Sequence, residues 1–148
     1  MTPITEYLFR GPRPKSLTDL KVQGFYAVID LESGVYEKLQ DDQYEKEKRE
    51  GNIDIWFGDF DLSNVFPPKK WEVLNIISVL DSMNRHKRKT YIHCYRGKDR
   101  TGFICAAYRM KYNGFAYVTA RDEMLRLGFN NLFYFWWKPF LKKYATKS

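Results

Sequence analysis

Short apolar runs alternate with helix-length segments along this chain, and that alternation restricts it to an α/β fold. Phe25–Leu31, Ile53–Phe57 and Thr90–His93 are brief and rich in β-branched and aromatic residues, as buried strands are. Between them, Val35–Glu50 is rich in Glu, Lys and Gln and closes on Gly51, so it reads as an exposed helix. Trp71, Val73, Leu74, Ile76, Ile77, Val79, Leu80 and Met83 recur at helical spacing and predict a long, buried helix. Ser16, Thr18 and Asp19 open an earlier helix, which Gly24 stops. Beyond the third strand, helices are predicted from Arg100 to Gly114, from Val118 to Leu127 and from Leu132 to Lys143. Pro139 is placed to kink the last. This order implies a largely parallel sheet of about four to five strands flanked by helices. At 148 residues the chain fits one domain, 1–148.

Composition removes several classes. Hydrophobic residues at 44% and aromatics at 18% supply a core and exclude a wholly disordered chain. No run reaches the apolar length of a membrane span. Met1–Gly11 carries Glu6 and Arg10 and has no apolar stretch of the signal-peptide kind. Two cysteines without a Cys-x-x-Cys, and two histidines, argue against a disulfide framework and against a zinc site. A reducing, cytoplasmic compartment and a monomer are the expectations. The net charge of +7 attracts polyanions, whether nucleic acid, acidic headgroups or phosphorylated small molecules. Arg85-His86-Lys87-Arg88-Lys89 reads as a solvated turn rather than a nucleic-acid site.

The stretch that carries chemistry is His93-Cys94-Tyr95-Arg96-Gly97-Lys98-Asp99-Arg100-Thr101-Gly102, between a predicted strand and a predicted helix. Ligands of open α/β sheets bind beyond the carboxyl ends of strands. A loop entering a helix directs successive N–H groups into one space, and the helix dipole adds positive potential. Gly97 permits the tight course this needs. A Cys94 thiolate at the mouth would be stabilised by the same dipoles. Arg100 offers a planar fork for two phosphate oxygens, and Arg96 and Lys98 add charge. Together these residues point to phosphoryl transfer to cysteine.

The pattern Cys-x5-Arg-Thr, preceded by His and followed by Gly, resembles the signature loop of the protein tyrosine phosphatase superfamily, in its small dual-specificity-like branch. Tyr7-Leu8-Phe9-Arg10-Gly11-Pro12-Arg13-Pro14 looks like the opening of many small members. No Gly-Lys-Ser/Thr ending marks a Walker A loop instead. The resemblance implies a tyrosine-phosphatase-like fold, no cofactor, no metal, and a phosphocysteine intermediate. It makes Cys94 the nucleophile. It gives Arg100 and the amides from Tyr95 to Arg100, Gly97 and Lys98 among them, the task of holding phosphoryl oxygens. It assigns Thr101 to breakdown of the intermediate and His93 to orienting the loop.

Three carboxylates compete as general acid. Asp61 and Asp59 follow the second predicted strand, at about the separation from Cys94 that the family uses. In relatives with an Asp-x-x-Pro-Pro pattern, however, the acid position corresponds to Asn64 here. Asp99, inside the loop, resembles the acid of myotubularins and of bacterial Gly-Lys-Asp-Arg-Thr phosphatases; a chain without a dedicated acid is the remaining possibility. The expected partner is a phosphorylated substrate. Extra cations favour inositol polyphosphates, whereas Tyr95 offers a ring to phosphotyrosine. An RNA 5′-triphosphatase or a non-catalytic phosphate-binding module are the alternatives. Cys105 reads as a packing residue, with a redox partnership to Cys94 as the other reading. The aromatic run Leu132–Trp137 reads as core, with a lipid or protein contact as its alternative.

Overall fold

A computed structural model describes residues 1–33 and 40–145. Five strands form one sheet: β1 (Thr2–Pro3), β2 (Leu8–Gly11), β3 (Ala27–Asp30), β4 (Trp56–Asp59) and β5 (Thr90–His93), in the order β1-β2-β5-β3-β4. Only β1 runs antiparallel to its neighbour; β2, β5, β3 and β4 are parallel. The expected single-domain, largely parallel α/β architecture is the one found. Alternate residues feed opposite faces of the sheet. Leu8, Ala27, Ile29 and Ile92 enter the larger core, while Val28 and Tyr91 join Leu17, Leu20, Phe25 and Tyr44 in a smaller one.

Among the described residues the helices are α1 (Leu17–Val22), α2 (Gln43–Glu50), α3 (Lys70–Arg85), α4 (Arg100–Tyr112), α5 (Tyr117–Arg126) and α6 (Asn131–Leu141), with a 3-10 turn at Lys142–Tyr144. Ser16 caps α1 by accepting from the Asp19 N–H at 3.0 Å, and Asp42 caps α2 through the Glu45 N–H at 2.9 Å. Part of the helix expected over Val35–Glu50 lies outside the described residues. What is described is helical only from Gln43, and its Tyr44, Glu45 and Glu47 are buried rather than exposed.

Other expectations need correction. The second strand starts at Trp56, three residues later than expected, because β4 forms where the chain can pair with β3, Ala27 opposite Trp56 through Asp30 opposite Asp59. Asp59 therefore ends a strand instead of lying in the loop. Trp71 sits on the outer face of α3 and is exposed, while Val73, Ile76, Ile77, Leu80 and Met83 are buried as expected. The aromatic α6 gives the core only Trp137 and Leu141 as fully buried residues. No helix among the described residues is long and apolar enough to cross a membrane.

Candidate active site

The parallel register brings Gly11, His93, Asp30 and Asp59 to one end of the sheet, and residues 94–99 leave from that end into α4. Gly97 turns this loop with φ +74°. A Cβ there would stand 2.3 Å from the Gly11 carbonyl carbon, so the two backbones meet with no room for a side chain. Two arginines outside the loop hold it. Buried Arg10 donates from Nη2 to the Gly97 carbonyl at 3.1 Å, and the Arg13 N–H donates to the Tyr95 carbonyl at 3.0 Å.

Cys94 is buried yet opens on a pocket of about 340 Å³. Tyr95, Arg96, Asp99 and Arg100 line that pocket with it, and Asn64, Val65 and Phe133 complete the wall. Arg100 is braced by the chain: its Nη1 donates to the Leu31 carbonyl at 3.4 Å and to the Leu62 carbonyl at 3.3 Å. Asp99 occupies the N-cap position of α4, but its side chain makes no capping bond. Its Oδ1 accepts instead from the Asn130 N–H at 2.9 Å, which ties the loop to the start of α6. Thr101 is fully buried, and its Oγ1 has no hydrogen-bond partner among the described residues.

Behind the loop lies a buried polar network. His93 Nδ1 meets the Cys94 carbonyl at 3.0 Å, and Nε2 meets the Tyr44 hydroxyl at 2.7 Å. A neutral ring donates from Nδ1 to the Cys94 carbonyl, and its Nε2 shares the single Tyr44 hydroxyl proton with Asp30 Oδ2. Burial lowers the His93 pKa below its ordinary value, although Asp30 opposes the shift. The Tyr44 hydroxyl also stands 3.0 Å from Asp30 Oδ2, and burial with the Asp30 charge pushes its pKa up. Arg13 spans Glu32 at 2.5 Å, Asp42 at 2.9 Å and Glu45 at 3.3 Å, with its guanidinium 4.7 Å above the Tyr44 ring. Asp30, Glu32 and His93 offer ligand atoms within 4.8 Å of one another. Arg13 and Lys48 already stand on those two carboxylates, so the cluster is an ion-pair network in character.

The structure thus gathers Cys94, Tyr95, Arg96, Asp99 and Arg100, and places the others differently. Lys98 is turned aside, its stem lying where a Gly128 Cβ would be 2.9 Å from Lys98 Cδ. Asp61 is exposed after β4 and is not among the residues that line the pocket. Asp59 lines a separate cavity with Leu17, Glu47 and Lys48. Both cysteines are free, and Cys105 is packed in the core, where burial raises its pKa. Sequence reasoning missed Asp30, Tyr44, Arg10 and Arg13. Only the last two left a trace, inside the Tyr7–Pro14 opening. A thiol, a braced guanidinium, a run of loop amides and a carboxylate on one wall can together receive a phosphoryl group and protonate what leaves.

The family profile described as dual specificity phosphatase, catalytic domain, matches residues 7–127. Among solved structures, Tk-PTP in its active form is 26% identical with a TM-score of 0.68, over 86% of this chain and 83% of that one. TpbA of P. aeruginosa is 23% identical with a TM-score of 0.65, over 85% and 72%. The human tyrosine phosphatase-like serine/threonine/tyrosine-interacting protein is 18% identical with a TM-score of 0.70, over 88% and 86%. The last two likenesses speak for the fold alone. No sequence among curated proteins matches significantly.

Proposed function

We propose, for a chain that belongs to the dual specificity phosphatase family, that Cys94 is the nucleophile of a phosphomonoesterase working through a phosphocysteine. The observation that carries this is the meeting of Cys94, Arg100 and Asp99 in one pocket at the carboxyl end of the sheet. The Cys94 thiolate attacks phosphorus while the bond to the leaving oxygen breaks. Arg100, held by the Leu31 and Leu62 carbonyls, meets the equatorial oxygens without reorganising. Asp99 gives its proton to the leaving oxygen. Water then attacks phosphorus, Asp99 takes that water's proton, and the S–P bond breaks to return the thiolate and release phosphate. Thr101, whose buried hydroxyl has no partner among the described residues, would donate to the sulfur as it leaves. His93 acts on the loop through the Cys94 carbonyl.

Asp99 is preferred to Asp61 and Asp59 because it alone of the three lines the pocket. Asp99→Asn keeps an acceptor for the Asn130 N–H, so it removes the proton and not the tether. We expect it to lower kcat on alkyl phosphates by about a hundredfold or more, with a smaller loss on p-nitrophenyl phosphate, whose leaving group needs little protonation. Asp61→Asn is expected to leave both within about threefold. The reverse result moves the acid to Asp61.

Arg96 beside Arg100 favours a substrate with a second anionic group, such as an inositol polyphosphate. The half-exposed Tyr95 ring at the pocket supports a second reading, phosphotyrosine. Phosphate release by wild type and Cys94→Ser would be compared on a phosphotyrosine peptide, inositol hexakisphosphate, phosphoinositides and 5′-triphosphate RNA. Turnover that vanishes in Cys94→Ser, with the inositol compound ahead, supports the first reading. Phosphotyrosine ahead supports the second. Turnover surviving in Cys94→Ser overturns the mechanism.

A further inference from the structure

The helix α6 is apolar on two faces. Phe133, Trp137 and Leu141 form the inner stripe, with Trp137 packed edge-on to Phe103 and Phe129 at 5.5 Å. A second stripe at i, i+3, i+4 and i+8 points outward: Leu132, Phe135, Trp136 and Phe140 are 79%, 76%, 54% and 39% exposed. A helix on the surface of a soluble protein ordinarily carries polar residues there. The stripe is continuous with the loop before α3. Phe66, 62% exposed, lies 6.4 Å from Trp136 ring to ring, and the Trp137 indole N–H donates to the Val65 carbonyl at 3.1 Å. Phe140 and Lys143 share a cleft with Pro67, Pro68, Lys69 and Lys70.

Charge decides what this face fits. Neither Ser63–Trp71 nor the chain from Met124 onward contains a single Asp or Glu. Lys69, Lys70, Lys142 and Lys143 are exposed around the aromatic stripe, and Lys138 flanks it. A second copy of the chain docked face to face would set lysines against lysines, whereas an anionic bilayer complements them. Aromatic and leucine side chains ringed by lysines form the pattern of a helix that lies in the headgroup plane. We propose that α6 and the Val65–Lys70 loop form a docking face for anionic membrane surfaces. Val65 and Phe133 belong both to this region and to the wall of the Cys94 pocket, so the pocket opens at the edge of the docked face. The α6 helix lies beyond residues 7–127, which the phosphatase profile matches.

The test is co-sedimentation of the whole chain with vesicles of phosphatidylcholine alone or with about 30% phosphatidylserine. Binding is expected to the mixed vesicles, to weaken strongly at about 0.5 M salt, and to shift tryptophan emission to the blue. Leu132→Ser with Phe135→Ser is expected to reduce the partition coefficient at least about tenfold, since two inserted side chains are lost. Lys142→Glu with Lys143→Glu should do so by a similar factor. Circular dichroism and urea unfolding report that both variants fold, and turnover of soluble p-nitrophenyl phosphate, where wild type shows it, is unchanged because neither pair lines the pocket. No binding to the mixed vesicles overturns the proposal, as does binding that both variants retain. So does a concentration-dependent dimer in light scattering that the apolar pair abolishes, which would assign the face to self-association. None of these outcomes depends on whether Cys94 is a nucleophile.

Discussion

A single methyl group at Gly97 would do more harm than almost any other addition of its size. The residue combines a left-handed φ with a Cβ position 2.3 Å from backbone, which cannot swing aside as a side chain can. Gly97→Ala is expected to cost about 2 kcal/mol or more in urea denaturation and to lower kcat/KM at least about tenfold, because the loop that carries Arg96 and Asp99 must shift. Gly24→Ala is the control. Its φ is +88°, but nothing lies within 4 Å of its Cβ position, so only the backbone preference is lost, about 1 kcal/mol. Equal costs at the two positions would refute the close approach to Gly11. Tyr44 tests the opposite kind of sensitivity. Tyr44→Phe removes the one hydroxyl that stands between His93 Nε2 and Asp30 Oδ2 in a dry site, a loss of about 1–3 kcal/mol. Thermal or urea unfolding that matches wild type would show that the hydroxyl is dispensable. The loop was legible in the sequence because Cys94, Gly97, Arg100 and Thr101 stand at the offsets of the signature it resembles, between a strand and a helix. Tyr44 and Asp30 were not, because each contacts His93 across a long stretch of chain and neither stands in a local pattern.

At the level of elements, what could be read depended on whether the signal was local. The third strand and the helix after it were legible to within two residues at each end, since apolar residues start and stop sharply there. The strand β4 was displaced because its ends come from pairing with β3, which admits Gly58 and Asp59 and leaves Ile53 and Ile55 to pack beside the smaller core. The exposed stripe of α6 was read as core because aromatic content reveals apolarity but not which face is covered. Its start is set by Asn130, whose Oδ1 accepts from the Leu132 and Phe133 N–H groups at 2.8 and 3.3 Å. Asn130→Ala is expected to cost about 1 kcal/mol of stability, as loss of a cap does. The Asn130 backbone N–H still reaches Asp99, so kcat on p-nitrophenyl phosphate should stay within about twofold. A large loss of kcat with little change in unfolding would mean that the cap sets the position of Asp99.

For the molecule as a whole, the buried polar network makes stability depend on acidity in two stages. His93 ordinarily titrates near 6.5, but burial, opposed by Asp30, holds its native value lower. Between those two values the unfolded chain takes up a proton that the native ring refuses, so stability falls as the pH drops below about 6.5 and the contribution is gone below the native value. Asp42 and Glu47 act later. The Arg13 guanidinium holds Asp42 below its ordinary 3.8, with burial working against it. At Glu47 burial raises the pKa, but the Thr18 hydroxyl and the Leu17 N–H outweigh it and leave a value below 4.5. Their contribution is complete above those ordinary values and is lost as the pH falls through the lowered ones. Urea midpoints measured from about pH 8 to about pH 3 should therefore hold level, decline gently below about 6.5, and decline steeply at the acid end. Arg13→Lys cannot span Glu32, Asp42 and Glu45 with a planar fork, so it should blunt the acid limb and leave the His93 limb in place. A profile that stays level down to about pH 4.5 would mean that the native His93 titrates as it does in the unfolded chain, and that its neutral role between Tyr44 and the Cys94 carbonyl is wrong.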